Sequence, residues 1–177
     1  VILGVPHHTT ADKILNQLSE DADYATRLLA WFAELDWPVL NQAIDRARNA
    51  LMLSNGEYDA ANATRRLWLD MGQHWEHGTT AIHKRWASHP RFAQALMLLR
   101  ADAPLAADQV AGDVHMLAQD GIGLAPAPLV SGDDLIAMGL KPGPNFKTIL
   151  DQTYDAQLEG RVTTRDEALD FARTVGA

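Results

Sequence analysis

The chain has 177 residues, of which 47% are hydrophobic, carries a formal net charge of −8 and contains no cysteine. This acidic balance argues against a protein that holds nucleic acid by overall charge, and the lack of cysteine excludes disulfides, thiolate zinc sites and thiol catalysis. No apolar run reaches the roughly 18–20 residues of a membrane span, so we expect a cytoplasmic protein without membrane contacts. Because the first residue is Val1 rather than Met, we also expect further chain upstream.

Apolar residues recur at helical spacing through the first half of the chain, with no convincing strand pattern. Trp37-Pro38 and Pro104 are expected to end helices, and Ser54 with Glu57 forms the pattern of a capping box. Ser88-His89-Pro90 is expected to cap the start of another helix. The helices predicted here cover residues 10–35, 39–52, a stretch after Ser54, residues 79–86 and a stretch that ends before Pro104.

The second half of the chain begins with a segment typical of a linker, residues 120–128, which holds two glycines and two prolines. Three compact helices are predicted after it, over residues 133–138, 144–159 and 164–175. The sequence therefore predicts an all-α fold. We expect a helical body subdomain over residues 1–119, a Pro/Gly linker over 120–130 and a smaller helical tail subdomain over 131–177.

The tail subdomain contains a glycine-rich corner between two helices, Gly139-Leu140-Lys141-Pro142-Gly143. In a helix-hairpin-helix, glycine allows close approach to a phosphate, and the N–H groups that start the next helix point outward. Lys141 and Lys147 would add positive charge on either side, and such contacts read the nucleic-acid backbone rather than its sequence. The alternative is a plain αα-corner, in which the glycines serve the turn and Leu140 fills the core.

The order of residues in this tail resembles the C-terminal signature of bacterial CCA-adding enzymes and related poly(A) polymerases. Gly132-Asp133-Asp134-Leu135 is followed by Gly139–Pro144, and the resemblance continues into residues 155–160, 162–165 and 167–169. A weaker resemblance to the same family lies upstream, in residues 51–57, 84–92 and 98–103.

The resemblance implies a division of labour within a tRNA nucleotidyltransferase or poly(A) polymerase. In that family, an N-terminal head with paired carboxylates binds divalent metal ions and transfers nucleotides from CTP or ATP to an RNA 3′ end. Helical body and tail regions hold the tRNA through its backbone. This chain resembles only the later regions, so we expect no catalytic residue, metal ligand or cofactor in it, with Mg²⁺, ATP and CTP bound only by the missing head.

The expected partner is tRNA or another RNA, contacted through its backbone. Residues 49–103 are net positive, and their basic residues include two adjacent pairs. Together with the corner of the tail, they supply the residues expected to contact RNA, which are Arg65, Arg66, Lys84, Arg85, Arg91, Lys141, Gly143 and Lys147.

Two acidic pairs and a histidine cluster are interpreted as structural. Adjacent side chains diverge by about 100° on a helix, so Asp133-Asp134 and Asp166-Glu167 suit the first turns of helices better than a shared metal. His74 and His77 stand three residues apart, but the i, i+4 zinc pattern and the His-Asp dipeptide of metal-dependent phosphohydrolases are both absent. A histidine-based hydrolase would require stoichiometric metal in the purified protein.

A second hypothesis is a standalone helical module that binds a protein or an RNA without enzymatic activity. It is motivated by the net charge of −8 and by five tryptophans, which are typical of a core or an interface. Trp75 or Trp86, beside Lys84-Arg85, could instead stack on RNA bases.

Overall fold

The structure, a computed structural model, describes residues 9–33, 35 and 37–176. Its secondary structure is helical with no strand in these ranges, which confirms the all-α prediction. None of the helices in the described part is long and apolar enough to cross a bilayer. The helices are α1 Thr9–Gln17, α2 Tyr24–Trp31, α3 Trp37–Ala50, α4 Asn55–His74, α5 Thr80–Ala87, α6 Phe92–Asp102, α7 Pro104–Gln119, α8 Gly132–Ala137, α9 Pro144–Leu158 and α10 Arg165–Gly176.

The single helix predicted over residues 10–35 is wrong, because the structure divides this stretch into α1 and α2. Asp23 is the N-cap of α2, and its side chain accepts a hydrogen bond from the Thr26 N–H at 2.9 Å. Arg27 Nε donates to the Ala22 carbonyl at 3.0 Å and fixes the turn between the helices. A short acidic side chain competes for backbone N–H groups, so it favours a helix start over a helix interior.

The prediction that a helix ends before Pro104 is confirmed, since α6 ends at Asp102, and Pro104 also opens α7, a helix that the sequence does not predict. Trp37-Pro38 does not mark the end of α2, which already ends at Trp31, but opens α3. Proline lacks an N–H group and has a helical φ angle, so the first turn accepts it readily. Ser88, expected to start a helix, is the C-cap of α5.

Other helix boundaries agree with the sequence within the usual margin of one or two residues. The predicted capping box is formed, with the Glu57 N–H donating to Ser54 Oγ at 3.2 Å and the Ser54 N–H donating to Glu57 Oε2 at 2.8 Å. The three C-terminal helices are present as α8, α9 and α10.

The first of two compact units contains the described residues up to Glu76 together with His89–Asp113. Within it, α4 packs against α2, α3 and α6. The largest fully buried side chains of this unit are Phe32, Ile14, Leu29, Ile44, Met71, Leu98, Leu99 and Val110.

The second compact unit contains His77–Ser88 and the described residues from Val114 onward. Here α9 packs against α5, α8 and α10. Its core includes Leu135, Ile149, Ala156, Val162 and Ala168. The predicted subdomain boundaries follow continuous stretches of sequence, whereas these units do not, since α5 groups with the C-terminal helices.

Residues 120–130, which the composition marks as a linker, are fixed to α9 within the second unit. Tyr154 donates from its hydroxyl to the Pro126 carbonyl at 3.0 Å. The Gln157 side chain donates to the Ala127 carbonyl at 2.8 Å and accepts from the Leu129 N–H at 3.0 Å. Proline and glycine therefore shape a packed connection in this segment.

Candidate nucleic-acid interface

Two of the basic residues expected to contact RNA are buried. Arg65 is 4% exposed and donates to Asn62 Oδ1 at 3.3 Å, and burial lowers the pKa of its guanidinium. Lys84 is 0% exposed, and its Nζ lies 2.6 Å from Asp120 Oδ2. A phosphate could reach the Lys84 ammonium only if that ion pair opened.

Arg85 lies at the surface, but its guanidinium connects α5 to α9 within the second unit. Its Nε lies 2.6 Å from Asp155 Oδ1, and its Nη2 donates to the Asp151 carbonyl at 3.1 Å. The guanidinium also lies 5.2 Å from the centre of the Tyr154 ring, within the range of a cation–π contact. The Asp155 carboxylate thus already pairs with the charge that Arg85 would offer to RNA, and the Tyr154 ring covers part of the guanidinium.

Arg91 joins three elements of the first unit. Its Nη1 and Nη2 lie 2.5 and 3.1 Å from the two carboxylate oxygens of Asp23, and its Nε donates to Thr64 Oγ1 at 2.7 Å. The hydrogen bond from Arg91, with further bonds from Thr26, lowers the pKa of the Asp23 carboxyl to about 2. This geometry is that of a structural ion pair, which sequence spacing could not reveal because its partners are 68 residues apart.

Arg66 and the cations of the tail have a different environment. Arg66 is exposed on α4, while Lys141, just before α9, and Lys147, near the start of that helix, are exposed as well. None of these three side chains forms an ion pair with a carboxylate among the residues that the structure describes. They are therefore the predicted RNA contacts whose charge is open to a ligand.

The corner of the tail brings Lys141, Gly143 and Lys147 together on one exposed stretch. After α8 ends, Gly139 has a φ angle of +87°, and its N–H donates to the Ile136 carbonyl at 2.9 Å. Leu140 packs against the core of the second unit, as the αα-corner interpretation predicted. The residues that follow Leu140 are exposed, and Gly143 is the N-cap of α9.

The backbone conformation favours glycine at only one of the two glycine positions of this corner. At Gly139 the positive φ angle disfavours any residue with a Cβ atom. At Gly143 the backbone is extended, with φ −179° and ψ −178°, and an added Cβ atom would meet only the Lys141 carbonyl oxygen at 3.8 Å. The fold itself therefore does not require glycine at position 143.

The last helix, α10, contacts the start of α8 at one end and the corner at the other. Arg165, at the start of α10, pairs with Asp134, which also accepts the capping hydrogen bonds of Ser131. At the other end of α10, a Cβ atom on Gly176 would lie only 3.3 Å from a Leu140 methyl group. The corner is thus supported by packing on its inner side and open on its outer side.

Each acidic pair lies in the first turn of a helix, α8 or α10. Asp134 and Glu167 serve as helix caps, and hydrogen bonds from Ser131 and from Thr163, respectively, lower the pKa of each carboxyl. In the described ranges, no group of three or more His, Asp or Glu side chains is placed to hold a metal ion.

Each of the two tryptophans considered for base stacking contacts another side chain of the protein. Trp75 is 4% exposed, and its indole N–H donates to Asp113 at 2.8 Å within the first unit. Trp86 is half-buried, with the His83 ring 6.2 Å from its own. Because Trp75 is buried, its ring cannot stack on an RNA base.

Comparison with curated proteins finds short local similarity to A-adding tRNA nucleotidyltransferases. The chain is 44% identical over 46 residues to that of Halalkalibacterium halodurans, a stretch that is 26% of this chain and 11% of the relative. It is 40% identical over 43 residues to that of Geobacter sulfurreducens, 24% of this chain and 5% of the relative. No family model matches the chain, and no solved structure matches it either. The chain is thus similar to these tRNA nucleotidyltransferases over about a quarter of its own length, and it spans only a small part of each relative.

Proposed function

We propose that this chain is the RNA-holding body and tail of a tRNA nucleotidyltransferase or poly(A) polymerase of the bacterial CCA-adding type. It binds tRNA through the phosphate backbone. Nucleotide transfer, with Mg²⁺ and CTP or ATP, belongs to a catalytic head elsewhere in the protein. The short matches to two A-adding tRNA nucleotidyltransferases support this proposal.

The observation that carries the proposal is the open corner before α9. Lys141 and Lys147 flank it without carboxylate partners among the described residues, and Gly143 leaves the backbone uncovered although the fold does not need glycine there. A backbone without a side chain, at a helix start with a lysine before and after it in the sequence, suits a phosphate. Arg66, exposed on α4, is the corresponding cation of the first unit.

The experiment that tests the proposal is tRNA binding by the 177-residue chain over a range of salt concentrations. The plot of log affinity against log salt has a negative slope. For Lys141→Gln combined with Lys147→Gln, we expect the magnitude of this slope to decrease by about 2, because two phosphate contacts are lost. A matched control is Arg161→Gln combined with Arg173→Gln. It removes two exposed charges from the same unit, both of which already pair with Glu159 and Asp170.

The control variant is expected to keep the wild-type slope. Binding that is insensitive to salt would contradict the proposal, as would an equal loss of slope in both double variants. If the wild-type chain does not bind tRNA at all, it is not an RNA-holding region.

Gly143→Asp is expected to weaken tRNA binding while the fold keeps its stability. Aspartate is a good N-cap, so the variant supports the start of α9, but its charge repels a phosphate at the corner. Gly143→Asn is the control, because it adds a similar side chain and cap without the charge, and it should bind more tightly than the aspartate variant. Equal tRNA affinities for Gly143→Asp and Gly143→Asn would exclude a phosphate at position 143.

By contrast, Gly139→Ala should cost about 1 kcal/mol of stability because of the positive φ angle at position 139.

The alternative is a helical module that binds a protein. Met52 and Leu105, both in the first unit, are 88% and 85% exposed, more than any other large hydrophobic side chains described. Exposed apolar side chains of this kind are common on their own, so they do not define a patch. A stable protein partner from lysate, together with no tRNA affinity, would support this alternative.

A further inference from the structure

A pocket in the first unit lies outside the corner and contains none of the predicted RNA contacts. It has a volume of about 520 Å³ and lies between the end of α1 and one face of α6. This volume is within the range of roughly 300–1,000 Å³ that is typical of pockets for small molecules. The side chains that line it and matter for its chemistry are Gln17, Ser19, Ala93, Leu96, Met97 and Arg100.

The lining of the pocket combines an apolar floor with polar groups at its rim. Ala93, Leu96 and Met97 come from successive turns of α6, and the lining is predominantly apolar. Ser19 Oγ donates a weak hydrogen bond to Met97 Sδ at 3.6 Å, which places the polarisable thioether at the edge of the pocket. A flat ring finds favourable contact with such a surface, because sulfur and aromatic groups attract each other.

The rim of the pocket offers hydrogen-bonding groups and one cation. The Gln17 side chain presents both a donor and an acceptor, which match the edge of a nucleobase. Among the described residues that line the pocket, Arg100 is the only charged one, and its Nη2 lies 3.8 Å from Asp108 Oδ1, with both side chains largely exposed. An exposed ion pair at that distance is weak, so the guanidinium can turn to a phosphate.

We infer that this pocket takes one unstacked base of the bound RNA. The base lies against Leu96 and Met97, its edge meets Gln17 and Ser19, and Arg100 pairs with the adjoining phosphate. Proteins commonly recognise RNA by splaying out a single base onto an apolar or guanidinium surface. This inference rests on the proposed function and adds a second site to it, in the first unit and separate from the corner.

The test combines NMR of ¹³C-methyl-labelled methionine with tRNA-binding measurements on the 177-residue chain. The chain contains five methionines, of which Met97 lines the pocket, Met71 is buried in the same unit and Met52 is exposed. We expect the Met97 methyl signal to shift when tRNA is added, with a smaller change at buried Met71.

Ala93→Trp fills the pocket from an exposed position on α6, and is expected to weaken tRNA binding about tenfold by displacing one stacked base. Arg100→Gln tests the phosphate contact and should decrease the magnitude of the salt slope by about 1. Ala118→Trp is the matched control, because it adds a tryptophan at an exposed position of α7 that does not line the pocket, and should bind like the wild type. An unchanged Met71 signal in the Ala93→Trp variant confirms that the unit is folded.

If tRNA binds with the expected salt dependence but the Met97 signal does not shift, the inference is overturned and the proposed function stands. The same holds if Ala93→Trp binds as tightly as Ala118→Trp. If the wild-type chain does not bind tRNA, the proposed function and this inference both fail.

Discussion

Arg91→Ala is expected to destabilise the first unit by about 2–3 kcal/mol, since it removes charge-assisted hydrogen bonds from partly buried groups. The Arg91 side chain is 18% exposed, and it holds the N-cap of α2, through Asp23, and the fully buried Thr64 hydroxyl of α4 in one network. Without Arg91, the Thr64 hydroxyl loses its donor and the cap loses its counter-charge. Solvent screening limits the size of this loss, because the Asp23 side chain is 40% exposed.

Urea unfolding followed by circular dichroism measures this effect. Arg100→Ala is the control, since it removes an arginine of the same unit whose ion pair is long and exposed, and it should change stability by no more than about 0.5 kcal/mol. If the two variants are equally stable, the network around Arg91 does not support the fold.

The pH dependence of stability is a second measure of the same pair. The folded pKa of Asp23, about 2, lies below its ordinary value of 3.8. The carboxylate therefore contributes stability that is fully present above about pH 4 and is lost as the pH falls toward 2. Asp23→Asn should remove this part of the acid sensitivity, which a comparison of unfolding curves at pH 5 and pH 3 would detect.

The division of the N-terminal stretch into α1 and α2 shows one limit of sequence reasoning. Helical periodicity extends across Asp23 because residues on both sides face the same core, so the apolar pattern alone predicts one helix. The cap at Asp23 is a local signal and was available in the sequence. The ion pair that makes it strong, with Arg91, depends on tertiary contacts and was not.

The basic residues show the same limit at the candidate interface. A cation at helical spacing can face water or an acidic partner, and spacing alone does not distinguish the two. For Lys84, Arg85 and Arg91 the partners are 36, 70 and 68 residues away, and only the packing of the helices brings them together. The corner of the tail could be recognised from sequence because its glycines, lysines and proline lie within a few residues of each other.

The connection after α7 is a comparable case. Proline and glycine in residues 120–130 indicate the absence of a helix, and the structure agrees. Composition does not report whether such a segment is packed, which here depends on the Tyr154 and Gln157 side chains of α9. The pocket beside Met97 was also invisible in the sequence, because α1 and α6 approach each other only in the fold.

Asp120→Ala is expected to destabilise the second unit far more than Lys84→Met, although both remove the same ion pair. Lys84 is fully buried, whereas the Asp120 side chain is 44% exposed. Removing the aspartate leaves an ammonium group without its counter-charge in the protein interior, and we expect Tm to fall by about 5 °C. Removing the lysine leaves an exposed carboxylate that water can solvate, and the methionine fills the same volume, so Tm should change little.

The double variant distinguishes this explanation from a general role of Asp120 in the turn. If the buried charge causes the loss, Lys84→Met combined with Asp120→Ala should be more stable than Asp120→Ala alone, because no ammonium remains to be neutralised. If the double variant is as unstable as Asp120→Ala, the loss comes from the turn, where backbone N–H groups of Gly121 and Ile122 also bond to Asp120.

Lys84→Met should also keep the wild-type salt slope of tRNA binding, since a buried ammonium paired with Asp120 releases no counterion from the RNA. A lower slope would mean that the ion pair opens and that Lys84 contacts the phosphate backbone.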